Sequence, residues 1–84
     1  MLTAIKVKTM NDLEMHTLYN KFKQDYENGQ PYNGIRFSEI EQAFTCFVWH
    51  KYFYTDNIKL ARLFHKNGFK ISRCGREYWE VKNV

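Results

Sequence analysis

Cysteine, proline and glycine are all scarce in this chain, with two, one and four copies among 84 residues. Two cysteines cannot knit the multi-bridge framework of a small secreted protein, and Cys46 and Cys74 show no local pairing pattern. Reduced thiols and a cytoplasmic setting are therefore expected. Cys46, among Phe44, Phe47 and Val48, is expected to be buried, and Cys74, at a turn, to be exposed. Long hydrophobic runs are missing as well, so neither a cleaved export signal nor a membrane span is expected. No linker, repeat or low-complexity tract divides the chain, and residues 1–84 read as a single domain. Phosphate loops need clustered glycines, whereas Asn33-Gly34 and Cys74-Gly75 are isolated turns. His16, His50 and His65 do not approach a metal-site spacing with either cysteine, so neither a metal nor another cofactor is expected. Glu39 and Glu41 belong to a helix start and are not spaced as a catalytic carboxylate pair.

What the chain does hold is aromatic rings and a modest excess of positive charge. A domain this short buries only roughly 60–65% of its unfolded surface, so its core must be dense. An aromatic content of 18% supplies that density, because Phe, Tyr and Trp bury large areas with few rotatable bonds. The formal charge of +4 favours polyanionic partners, although many ordinary soluble proteins carry as much.

Periodicity predicts an α+β architecture of three helices, a carboxy-terminal hairpin and short strands. Leu2 to Lys8 alternates and reads as a strand. Thr9 or Asn11 is suited to cap a first helix, with Asp12 and Glu14 in its opening turn and Met15, Leu18, Tyr19, Phe22 and Tyr26 as its apolar stripe. Asn28-Gly29 ends it. Ile35-Arg36-Phe37 reads as a brief strand, and Ser38 to Glu41 as the capping box of a second helix with Ile40, Ala43, Phe44 and Phe47 on its core side. The apolar segment continues through Trp49, Tyr52, Phe53 and Tyr54 until Thr55-Asp56-Asn57 breaks it and caps a third helix.

The third helix and the hairpin after it carry the functional signal. Lys59, Arg62 and Lys66 project from one helical face, while Leu60, Ala61 and Phe64 fall on the opposite one. Gly68 suits a left-handed cap, with Phe69 folding back onto the helix. Phe69 to Arg73 then turns at Cys74-Gly75 into Arg76 to Val81, a hairpin with a cationic tip. Pairing Phe69 with Val81 and Ile71 with Trp79 would set Lys70 against Glu80 and Arg73 against Glu77, two favourable cross-strand pairs. Core roles are expected for Phe22, Phe44, Phe47, Phe64, Ile71 and Trp79.

The expected order of helix, short strand, helix, helix, strand, tip and strand resembles the winged-helix domain, over Asn11 to Val84. That resemblance rests on topology and on the run Leu60 to Phe69, and implies that the third helix enters a major groove while the hairpin touches backbone or minor groove. It carries Asn57, Lys59, Arg62 and Lys66 onto the nucleic-acid face and Arg73 and Arg76 onto the wing. The second helix is long for that family. The narrower run Leu63 to Gly75 is similar to the helix–Gly-Phe–strand–Arg–Gly segment of HicA-type toxin ribonucleases, whose fold is related to the double-stranded-RNA-binding domain. There a nuclease histidine follows the glycine; here Gly75 precedes Arg76, Glu77 and Tyr78, so the resemblance implies RNA binding without cutting. The bias toward Lys, Asn, Phe, Tyr and Ile resembles the small accessory proteins of tailed bacteriophages in composition, which would put the chain in a host cytoplasm.

Charges at the spacing of Lys59, Arg62 and Lys66 most often mark a solvated helix face. The nucleic-acid reading stands ahead because Lys70, Arg73 and Arg76 come directly after them. The expectation is non-catalytic binding of RNA or DNA through those six residues. The rival expectation is an inhibitor that binds a host defence or nucleic-acid-processing protein through Trp49, Tyr52, Phe53 and Tyr54, although such a cluster is more often core than surface.

Overall fold

The chain turns from helix to strand and back in the order α1 (Asp12–Glu27), α2 (Phe37–His50), β1 (Tyr52–Thr55), α3 (Ile58–Lys66), β2 (Lys70–Cys74), β3 (Tyr78–Lys82). This computed structural model describes residues 10–83. The strand expected over Leu2 to Lys8 and the alternative cap Thr9 lie outside the described residues. The three strands form one antiparallel sheet in the order β1-β3-β2. α3 packs against all three strands, α2 against β1, and α1 against α2, giving an α+β domain.

The helix ends follow from local chemistry. Asn11 caps α1: its Oδ1 accepts from the Glu14 N–H at 2.8 Å, and Glu14 Oε1 accepts from the Asn11 N–H at 3.0 Å. At α3 the Asn57 Oδ1 accepts from the Lys59 and Leu60 N–H groups, at 3.0 and 3.4 Å. The other end of α3 closes as expected. Gly68 is left-handed, its N–H donates to the His65 carbonyl, and the Phe69 N–H donates to the Phe64 carbonyl. Phe69 folds back with its ring 5.1 Å from that of Phe64. α2 starts earlier than expected: Arg36 is its cap residue, and Glu39, rather than Glu41, reaches back to the Arg36 N–H at 2.9 Å. Ser38 lies inside the first turn, so it caps nothing.

Two strand expectations are corrected. Ile35-Arg36-Phe37 is no strand, because the Ile35 N–H donates to the Tyr32 carbonyl in a turn and Phe37 already belongs to α2. The missing strand sits instead at Tyr52–Thr55, between α2 and α3. α2 stops because Lys51 takes a left-handed conformation, φ 66°, and swings the chain into β1. A strand there, with none between α1 and α2, departs from the element order that the winged-helix resemblance implies.

The hairpin register also differs from the expected one. Ile71 lies opposite Val81, Arg73 opposite Trp79, and Cys74 opposite Tyr78. The loop holds three residues, Gly75 to Glu77, and this moves every partner by two positions. A shift of two preserves the faces. It breaks the expected charge pairs: Lys70 faces Lys82, and Ser72 faces Glu80.

The core is a cluster of rings around Phe64, which is 0% exposed. Phe22 of α1, Phe44 and Phe47 of α2, Phe53 of β1 and Phe69 all lie with ring centroids 5.1–5.6 Å from it. Ile40 and Val81 are fully buried beside them. Of the expected core residues, Phe22, Phe44, Phe47 and Phe64 are buried, whereas Ile71 and Trp79 are only half-buried at the sheet margin. Cys74 is exposed and Cys46 half-buried, both as free thiols.

Candidate nucleic-acid interface

Residues 57–76 hold six of the chain's thirteen Lys and Arg and none of its nine acids. This segment comprises α3, its glycine cap, β2 and most of the hairpin loop. All six cations are exposed, and among the described residues none forms an ion pair within 4 Å. The side chains of Glu80 and Lys82 do pair, at 3.6 Å, on the neighbouring strand.

The six cations do not share one surface. α3 buries Leu60, Ala61 and Phe64, so Lys59, Arg62 and Lys66 look outward, away from the sheet. Strand side chains alternate between faces. Phe69 and Val81 are buried beneath the helices, which turns Lys70 to the far side of the sheet. Arg73 takes the helix-side row with Trp79 and Thr55, and its guanidinium carbon stands 5.1 Å from the Trp79 ring centroid. Its Nη2 donates to the Arg76 carbonyl, so Arg73 also closes the hairpin loop. Arg76 lies in that loop and, among the described residues, has no ion pair within 4 Å.

Two residues of the segment have structural duties that, beyond the expected helix cap at Asn57, the sequence did not reveal. Asn57, expected on the binding face, uses its Oδ1 for the α3 cap, while its Nδ2 donates to the Gly34 carbonyl at 2.8 Å and to Glu39 Oε2 at 3.3 Å. His65 Nδ1 lies 3.0 Å from the Phe69 carbonyl oxygen. A carbonyl only accepts, so this nitrogen carries the proton and ties α3 to the start of β2. Lys59 has a packing contact too. A Cβ on Gly34 would come within 3.0 Å of Lys59 Cδ and 3.2 Å of its Nζ, so the lysine stem lies across the Gly34 turn. Gly34 itself has φ +81°, which a side chain would strain in any case.

The aromatic cluster is split by the same alternation. Phe53 lies in the core, which removes it from the expected patch, whereas Tyr52 and Tyr54 point outward from β1. Trp49, at the end of α2, is 76% exposed, and Val48 beside it is 74% exposed. A continuous apolar run favours a core assignment for the whole cluster, but its second half is a strand with one face in water. Four β-forming residues in succession, Tyr52 to Thr55, are the signal for that strand.

Three tyrosines are held protonated. Burial, then the Asp25 hydrogen bond at 3.0 Å, pushes Tyr32 up to about 12. Burial and the nearby Glu41 raise Tyr19, and the Glu80 carboxylate, accepting from its hydroxyl at 3.2 Å, raises Tyr54. A deprotonated phenol beside each carboxylate would add a second negative charge.

Among the described residues, no group of three or more His, Cys, Asp and Glu is arranged to hold a metal, and no helix is long and apolar enough to cross a membrane. Comparison with protein families, with curated proteins and with solved structures finds no match to this chain.

Proposed function

We propose that this chain binds nucleic acid, without catalysis, along α3 and the adjoining end of the β2–β3 hairpin. One observation carries the reading: Lys59, Arg62 and Lys66 share the outer face of α3, exposed and, among the described residues, with no acid within 4 Å. Lys59, Arg62 and Lys66 would meet phosphates from the helix and Arg76 from the loop. Arg73 would help to shape that loop, and Lys70 would contribute from the sheet's far side. The use of α3 and a hairpin is winged-helix-like, although the first strand of the sheet comes after α2.

The experiment is a salt titration. The three contacts of α3 alone give a log–log slope of about −2.1 to −2.7, so their share of the affinity should fall about 20- to 40-fold between 50 and 200 mM salt. Lys59→Glu/Arg62→Glu/Lys66→Glu should abolish duplex binding while the circular dichroism spectrum stays unchanged. Duplex binding that survives this variant sinks the reading.

A second reading has its own support in the exposed pair Val48 and Trp49. Tryptophan so exposed beside an apolar neighbour suits docking to a protein, and a host defence or nucleic-acid-processing protein is the partner proposed. Capture of partners from host lysate with and without nuclease separates the two readings. Partners retained after nuclease favour the protein interface.

A further inference from the structure

The sheet face turned away from the helices carries eight side chains: Tyr52 and Tyr54 on β1, Tyr78, Glu80 and Lys82 on β3, and Lys70, Ser72 and Cys74 on β2. None of them is Leu, Ile, Val or Phe. The three tyrosines are 38%, 50% and 48% exposed. Cross-strand pairing sets Tyr52, Lys82 and Lys70 in one transverse row, with Tyr54, Glu80 and Ser72 in the next. Tyr52 thus stands beside Lys82, with Lys70 next in the same row.

We infer that this face binds single-stranded nucleic acid, with unpaired bases stacking on Tyr52 and Tyr54 and the backbone phosphates lying against Lys70. The inference rests on the proposed nucleic-acid function and deepens it, because it names the unpaired strand as ligand and adds a second surface.

Both parts of the chemistry are present. Every base has a π-face, so stacking on aromatic side chains tolerates any sequence, and a nearby positive charge tracks the backbone. The tyrosines are held in place before any ligand arrives. Tyr54 donates to Glu80 Oε2, and its ring meets that of Tyr52 edge-to-face at 5.4 Å. Glu80, the one acid on the face, is taken up by its neighbours: Oε1 accepts from the Ser72 hydroxyl at 3.4 Å and lies 3.6 Å from Lys82 Nζ. Lys70 has no acid within 4 Å among the described residues, so its charge is available to a phosphate. The composition of the face also argues against a second copy of the chain as occupant. Protein interfaces bury aliphatic and aromatic groups at their centres and are depleted there in lysine and glutamate, whereas here Lys82, Lys70 and Glu80 occupy the face beside Tyr52 and Tyr54.

The test compares a fluorescent twelve-nucleotide single strand, as RNA and as DNA, with its duplex. Wild type should bind the single strands more tightly than the duplex. Tyr52→Ala/Tyr54→Ala should weaken single-strand binding at least about tenfold, leave duplex binding within about twofold, and elute at an unchanged volume. Tyr52→Phe/Tyr54→Phe keeps both rings and should bind the single strand within about threefold of wild type. Equal single-strand binding by wild type and the alanine variant overturns the inference, and loss of binding on charge reversal of α3 in the same assay shows that the broader nucleic-acid function survives it. An alanine variant that changes only its elution volume also overturns it, and marks the face as a contact between copies. No binding of any nucleic acid by wild type removes both readings together.

Discussion

The two halves of this molecule use charge in opposite ways. Residues 10–50, the α1–α2 half, hold six acids and three cations. Four of those acids are committed to local bonds: Glu14 and Glu39 at helix starts, Asp25 to the Tyr32 hydroxyl, and Glu41 to the Tyr19 hydroxyl. Residues 57–76 hold six cations, of which only Arg73 has a hydrogen-bonding duty. Charge in the first half serves folding. Charge in the second is left to solvent, a neutral placement for a lone protein and a useful one for a protein that meets phosphates.

The two halves meet at Phe64, and removing its ring gives the largest expected effect. Phe64→Ala should cost about 3–5 kcal/mol, comparable with the whole stability of a domain this size, about 4–12 kcal/mol. Urea denaturation should show a transition at much lower denaturant, or none. A transition within about 1 kcal/mol of wild type would mean that the halves are stable separately. Asn57 makes one polar tie between them, through Gly34 and Glu39, and Asn57→Ala should cost about 1–2 kcal/mol. Asn57→Asp keeps the helix cap but loses the donor to Gly34 and faces Glu39 with a carboxylate, so it should fall between wild type and alanine. Equal urea midpoints for wild type and the aspartate variant would show that the tie contributes nothing. The smallest effect concerns alkaline pH. Tyr32 is raised from 10.0 to about 12 in the folded chain, so the folded state holds this proton more tightly than the unfolded one. Its contribution is whole below pH 10 and is lost as pH climbs toward 12. Thermal midpoints of wild type and Tyr32→Phe should therefore converge over that range. A constant gap would show that the Asp25 bond does not set the response.

Much of this was legible in the chain because it is written in short-range chemistry. Asn11 with Glu14, Asn57, and Gly68 with Phe69 each act within a few residues, so α1, α3 and the α3 stop could be read directly, whereas the cap of α2 lies two residues before the expected Ser38. The two-residue alternation of the hairpin gave the faces of β2 and β3, yet their partners depended on loop length, which Cys74-Gly75 did not determine. β1 was hidden because Trp49 to Tyr54 is apolar in both helical and extended periods. The cations of α3 could be assigned to one face, but Lys70 and Arg73 separate only once the sheet is known to be covered on one side. The duties of Asn57 and His65 depend on backbone partners that no pattern announces.

Lys51, the one described non-glycine residue with positive φ, sets the phase of everything beyond α2. It ends a period of 3.6 and begins a period of two, and its carbonyl accepts from the Asn83 N–H to lock the new phase in place. One residue more or fewer at this corner would deliver Phe53 and Thr55 to water and press two phenols toward Phe47 and Phe64. Glycine or asparagine at position 51 would hold the same left-handed corner and a β-branched residue would strain it, whereas an insertion or deletion there would turn β1 over.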